Sequence, residues 1–320
     1  MNSIDKLYQA AAVKGAVCVG LDTAFEYLPE AARGRFPGHA DAILAYNRAL
    51  VDATLDAAAC YKVQIAYYEA LGLAGLAAYS KTLAYIRERG GLVIADIKRG
   101  DIADTAERYA AAHFYGDFEA DFVTLNPYMG VDSLMPWLYA AEKTGKGAFV
   151  LVRTSNPGMR DFEDQALATG GKLYDAVARA LSRLAARYNG GCGYGGFGAV
   201  IGCTEREEAA AIRAKYKNLF FLIPGYGAQG GGAEIAAVLL KPDGSGGVVN
   251  ASRSILKAWE KRPLPFSESA DPLESAAAAA RKALLGMRRD LRGEIQREYR
   301  GDIQRDSDLS GHETGSQLPP

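Results

Sequence analysis

Cysteine and histidine are scarce in this chain of 320 residues, which has four cysteines (Cys18, Cys60, Cys192, Cys203) and three histidines (His39, His113, His312). No two cysteines stand as C-x-x-C and the histidines lie far apart, so zinc-ligand spacing is absent and no metal site is expected. The thiols read as reduced and mostly buried. Charge of one sign is missing as well: 37 Lys and Arg against 38 Asp and Glu leave a formal net charge of −1. Such a balance provides no global basic field to gather nucleic acid or an anionic membrane. Long apolar runs are lacking too, since no segment approaches the ~18 uninterrupted apolar residues of a membrane span. The opening MNSIDKLYQAAAVKGAVCVGLD has neither the basic start nor the apolar core of a signal peptide. These absences predict a soluble, cytoplasmic protein that binds neither nucleic acid nor membrane. An anionic substrate would have to be held by a local cluster of positive groups.

What is present is an alternation. Apolar residues make up 49% of the chain and charged ones 23%, ordinary globular usage. Short apolar runs rich in Val, Ile and Phe recur at 16–22, 61–65, 92–98, 121–126, 147–155, 197–203, 219–225 and 246–252. Without polar alternation they read as strands buried on both faces. Helix-like stretches separate them at 40–59, 67–89, 102–115, 132–144, 171–188 and 204–217. Eight strands alternating with helices, at a length near the ~250 residues usual for the architecture, predict a (β/α)₈ TIM barrel over 1–265. An open doubly wound sheet is the alternative. A short helix Ser254–Lys261 ends at Arg262-Pro263-Leu264-Pro265, and Asp271-Pro272 then reads as an N-cap with Pro at the first helical position. That predicts a C-terminal helix within 266–300, reaching about Tyr299. The polar stretch 301–320 holds too little apolar surface to offset its ordering entropy and reads as a disordered tail.

Barrel enzymes carry their chemistry at the C-terminal ends of the strands. There the sequence offers Asp22, Lys62, the D-x-K-x-x-D run Asp96, Lys98 and Asp101, Asn126, Thr154 with Ser155, and Ser252 with Arg253. Residues two apart on a strand face the same way, so Asp96 and Lys98 should project together, with Asp101 approaching from the following turn. Buried unpaired, such charges would be strongly unfavourable, so they must pair with each other or with a ligand. The run from Pro224 through Gly225 to Gly232 is glycine-rich, which lets backbone N–H groups approach an anion closely. Arg253 at a helix start on the neighbouring strand is suited to bidentate phosphate contact. A phosphate site is therefore expected beside the charge cluster.

These residues resemble the orotidine 5′-monophosphate decarboxylase family, over about residues 10–260. The similarity rests on Leu21-Asp22, Lys62-Val63, Asp96-Ile97-Lys98-Arg99-Gly100-Asp101-Ile102 with Thr105, Gln229 and Arg253-Ser254-Ile255. Asn126-Pro127-Tyr128-Met129-Gly130-Val131-Asp132-Ser133 and Arg153-Thr154-Ser155-Asn156-Pro157-Gly158 look like its longer bacterial subfamily. The connection from Asn156 to Gly196 and everything past Pro263 depart from the pattern. The resemblance implies cofactor-free decarboxylation of orotidine monophosphate, with Lys98 protonating carbon 6 inside an Asp–Lys–Asp network. It implies that Asp22 and Lys62 hold ribose hydroxyls, that Ser155 meets the pyrimidine amide, and that Gln229 and Arg253 grip the phosphate. It also implies a homodimer in which Asp101 and Thr105 reach the partner's site. The nearest rival is a magnesium-dependent lyase or aldolase of the same suprafamily acting on phosphorylated sugars; it typically carries Glu where Lys62 stands. A non-catalytic nucleotide-binding barrel would show a broken charge network, whereas all four charged positions are filled.

Overall fold

Each of the eight apolar runs forms a strand, as expected for segments that must be buried on both faces. A computed structural model describes residues 1–227, 232–261 and 271–300. In it the strands are β1 (Val17–Gly20), β2 (Cys60–Gln64), β3 (Val93–Arg99), β4 (Phe122–Leu125), β5 (Gly147–Arg153), β6 (Phe197–Ile201), β7 (Phe221–Ile223) and β8 (Gly247–Ala251). All pair in parallel in chain order, and β8 returns to β1 through Val17↔Val249, Cys18↔Asn250 and Val19↔Ala251. That last ladder closes the barrel and excludes the doubly wound sheet.

Side chains alternate between two apolar layers. Cys18, Cys60, Ile94, Phe122, Phe149, Phe220 and Val248 fill the barrel interior. Val17, Val19, Tyr61, Val63, Val93 and Ala95, their strand neighbours, face outward against the helices. Three of the four free cysteines are buried, as their scarcity and setting suggested; Cys192 is half-buried.

The helices are α1 (Ser3–Lys14), α2 (His39–Thr54), α3 (Gly72–Glu88), α4 (Ala103–Phe114), α5 (Met135–Thr144), α6 (Leu173–Ala185), α7 (Arg206–Lys215), α8 (Ala233–Leu239) and α9 (Pro272–Glu298), besides shorter turns. Two were not anticipated. α1, capped by the Asn2 side chain accepting from Asp5 N at 3.1 Å, sends Ile4, Leu7 and Ala11 into the interior cluster and so plugs one end of the barrel. α8 sits just past the glycine-rich stretch that obscured it. The segment expected at 67–89 divides into Ala66–Glu69 and α3, with Gly72 in the left-handed region at φ 63°.

The C-terminal helix begins as its sequence dictates, with Asp271 Oδ1 accepting from Leu273 N at 2.7 Å and Pro272 in the first turn. α9 packs chiefly on α2 and α8, so it takes the eighth place in the outer ring. Leu273, Ala276, Ala280, Leu284, Met287 and Leu291 join the outer core, and Arg281 pairs with Asp56. The tail 301–320 lies outside the described residues. Among the described residues no helix is long and apolar enough to cross a membrane.

Candidate active site

The C-terminal end of β3 departs from regular strand geometry, and that departure builds the site. Lys98 has a φ of 46°, and the β3–β4 register slips between Ala95 and Arg99. Thr124 on β4 stabilises the turn: its hydroxyl accepts from Ile97 N and Lys98 N, each at 2.9 Å, and donates to Asp96 Oδ1 at 2.8 Å. A left-handed conformation in a non-glycine residue is unfavourable and persists only where the surroundings hold it. Here it leaves Asp96 and Lys98 in direct contact, Nζ to Oδ1 at 2.5 Å.

Asp96 is the hub. Its Oδ2 accepts from Lys62 at 2.8 Å and Gln64 at 3.0 Å, and its Oδ1 from Thr124 and Lys98. Burial opposes ionisation, but the Lys62 and Lys98 ammonium groups outweigh it and hold the carboxyl well below the usual range. Lys62 bridges Asp96 to Asp22 Oδ1 at 2.9 Å. Burial pulls its ammonium down, yet the two carboxylates together raise its pKa well above that of ordinary lysine. Ser252 then donates to Asp22 Oδ2 at 2.8 Å. Side-chain exposure grades along this line, from 6–7% at Asp96 and Lys62 to 22% at Asp22 and 45% at Lys98. Lys98 is thus the member of the cluster most accessible to a ligand.

Above the cluster opens a cavity of about 440 Å³. Leu151, Val200 and Leu222 supply apolar wall, while Thr154, Ser155, Asn156, Gly225, Tyr226 and Arg253 line its other side. The loops after β7 and β8 meet there. Gly225 and Gly227 have φ of 96° and 80°, and a Cβ on Gly227 would stand 3.2 Å from Ser254 Cβ. Close approach of the two loops therefore favours glycine. Arg253 opens a one-turn helix, Arg253–Leu256.

Of the residues singled out in the sequence, Asp22, Lys62, Asp96, Lys98, Ser155, Gly225 and Arg253 meet in this cavity. Asp101, Thr105 and Asn126 do not line it. Asp101 accepts from Ile102 N at 2.9 Å instead of approaching Lys98, Thr105 is exposed on α4, and exposed Asn126 accepts from Tyr128 N at 3.0 Å. Gln229 lies outside the described residues. Sequence reasoning missed Gln64, Thr124 and Asn250; the available signal was a polar residue inside a mainly apolar run, in the case of Gln64 two residues from Lys62 on the same strand. Among the described residues no group of three or more His, Cys, Asp or Glu is disposed to hold a metal.

A charged cavity at the C-terminal mouth of a closed (β/α)₈ barrel is where enzymes of this architecture work. The chain belongs to the orotidine 5′-phosphate decarboxylase / HUMPS family, whose model matches residues 15–263. It is 56% identical over 265 residues to the orotidine 5′-phosphate decarboxylase of Clostridium kluyveri, covering 83% of this chain and 91% of that protein. A Clostridium perfringens relative of the same name is 52% identical over 291 residues, 91% of this chain and 98% of its own. Among solved structures, Leishmania donovani OMP decarboxylase superposes with a TM-score of 0.68 at 32% identity, covering 90% of this chain and 99% of that one.

Proposed function

We propose that the chain decarboxylates orotidine 5′-monophosphate to uridine 5′-monophosphate without a cofactor, with Lys98 as proton donor. The observation carrying this reading is the Lys98 ammonium, half exposed in the cavity and fixed at 2.5 Å to a buried, ionised Asp96. The bond from carbon 6 to the carboxylate breaks, CO₂ leaves, and the electron pair stays on carbon 6. No neighbouring carbonyl delocalises that pair, so its stabilisation must be electrostatic. A preorganised cation serves best where water is excluded. Carbon 6 then takes a proton from Lys98, and the resulting amine regains one from water. Asp96 is a fixed anion whose acceptor positions are filled by four donors, so it crowds the substrate carboxylate and takes no proton.

The remaining roles follow the family resemblance. Asp22 and Lys62 hold the ribose hydroxyls, and Ser155 meets the pyrimidine amide. Gln229, the Gly225 backbone and Arg253 receive the phosphate, whose binding energy aligns the distant base. The active form is a homodimer in which Asp101 and Thr105 serve the partner's site. Support for this comes from their absence from their own cavity and from Ile102 between them, an apolar side chain that is 51% exposed.

Purified protein mixed with orotidine monophosphate should discharge the orotate absorbance. A charge ~4 Å from the reacting carbon contributes about 4 kcal/mol at an effective dielectric of 20. Lys98→Ala should therefore lower kcat at least about a thousand-fold. Near-wild-type turnover by that variant would remove Lys98 from the chemistry. Lys62 Nζ occupies the place between Asp22 and Asp96 that a bridging cation would need. Full activity is accordingly expected after exhaustive chelation, and a loss restored by magnesium alone would move the protein to the phosphosugar lyase class.

A further inference from the structure

The inward face of β8 continues past Val248 to Asn250 and then Ser252. Asn250 is only 5% exposed, yet it lines the floor of the cavity beside Val200 and Leu222. Its amide is oriented by elimination. Asp22, paired with the Lys62 ammonium, acts as an acceptor, so the single proton of the Ser252 hydroxyl goes to Asp22 Oδ2 at 2.8 Å. Ser252 can then only accept from Asn250, which turns Nδ2 toward it at 3.3 Å. The hydrogen bonds run one way, from Asn250 to Ser252 to Asp22.

We infer that Asn250 is a positioning residue for Asp22, acting through Ser252. Two further observations support this. Asn250 Oδ1 is sealed from solvent and has no hydrogen-bond partner among the described residues. Burying such an acceptor is unfavourable, and a leucine of similar size would avoid it. What the amide supplies and leucine lacks is the bond to Ser252. The second observation is Gly20, at the end of β1 across the barrel seam. A Cβ there would stand 2.0 Å from Ser252 Oγ and 2.9 Å from Asn250 Oδ1. β1 thus carries no side chain where these two groups pass.

Asp22 is held on both oxygens, by Lys62 on one and Ser252 on the other, and its remaining lone pairs reach the cavity in one orientation. The functional consequence rests on the reading proposed above, that Asp22 receives a ribose hydroxyl of the substrate. Asn250 then sets how strongly the enzyme prefers a ribosyl over a deoxyribosyl nucleotide.

The test is a cycle of Asn250→Leu, Ser252→Ala and the double variant, assayed on orotidine monophosphate and on its 2′-deoxy and 3′-deoxy counterparts. Each single variant should lose about three- to tenfold in kcat/KM on the ribonucleotide, mostly through KM, the size of one net hydrogen bond. The double variant should be no worse than either single one. The loss should vanish on whichever deoxy analogue lacks the hydroxyl that Asp22 binds. Additive losses would overturn the proposal, as would equal losses on all three substrates where Asp22→Asn itself still discriminates among them. Ser252→Ala deletes a single atom, so the comparison across substrates stands even if Asn250→Leu packs badly. Asp22→Asn separates the two layers of inference. If it loses equally on all three substrates, the ribose reading of Asp22 fails, and non-additivity of Asn250 and Ser252 alone then decides the positioning role.

Discussion

Lys62 stands between carboxylates that would otherwise repel each other across the barrel mouth. The pH dependence of that arrangement follows from the two shifts. Asp96 has a lowered pKa, so its contribution to stability is present above the ordinary carboxylate value of about 3.9 and is lost as pH falls through the lower folded value. Lys62 has a raised pKa, so its contribution is present below about 10.4 and is lost only as pH rises through the folded value. Between those limits the pair keeps its charge. His113 titrates inside those limits. It is 3% exposed and stacks on Phe118 and Trp137; burial, followed by the charge of Arg99, lowers its pKa from 6.5 to about 4. The unfolded chain binds the extra proton between those values, so this residue weakens the fold as pH drops from about 6.5 to about 4. His113→Leu should flatten the fall of unfolding free energy with pH across that window, by up to about 3 kcal/mol, as read by denaturant titrations at several pH values. An unchanged pH profile would show that His113 titrates alike in both states.

The same scale shows what a sequence can carry. Asp96 and Lys98 were visible because their spacing of two sits at the end of an apolar run. Thr124 was not, because a polar residue within a buried strand looks the same whether it caps a neighbour's carboxylate or satisfies itself locally, and Gln64, two residues from Lys62, carries no charge to mark it as part of the cluster. The left-handed backbone at Lys98 leaves no compositional trace, since it is imposed by a hydroxyl on the next strand.

At the scale of elements, strands were read well and the outer ring less so. Buried parallel strands announce themselves by continuous apolar runs, whereas α1 precedes the first strand, outside the strand–helix alternation, and α8 is a seven-residue helix packed between α7 and α9 just past a glycine-rich stretch. α9 was foreseen as a helix from Asp271-Pro272 but not as the eighth of the ring, because the proline-rich break before it resembles the end of a domain. We propose that the folding unit extends through α9. Two adjacent leucines test this. Leu284 is fully buried in the outer core, and Leu285 is 36% exposed. Leu284→Ala should cost about 2–5 kcal/mol, while Leu285→Ala should stay within about 0.5 kcal/mol of wild type. Equal, small effects in thermal unfolding would mean that α9 is an appendage that docks loosely.

At the scale of the whole molecule, the proposed sharing of sites makes an arithmetical prediction. Lys98→Ala and Asp101→Ala homodimers should both be nearly inactive. A mixed dimer has one site with Lys98 from one chain and Asp101 from the other, intact, and one site lacking both. Random exchange makes half the dimers mixed, so about a quarter of wild-type activity should return. Absence of recovery after verified subunit exchange would place both residues in one chain's own site.

The seam between β1 and β8 has a consequence for how the chain comes into being. Val17 pairs with Val249, and α2, formed from residues 39–54, is covered by α9, formed from residues 272–298. A ribosome making this protein thus releases the first strand long before it makes the partner that covers its edge. During that interval the open edge and the apolar face of α2 are exposed to other nascent chains. Contacts so distant in sequence slow folding and favour aggregation along the way. Yield in the cell should therefore depend on chaperone supply and synthesis rate more than the stability of the finished barrel would suggest.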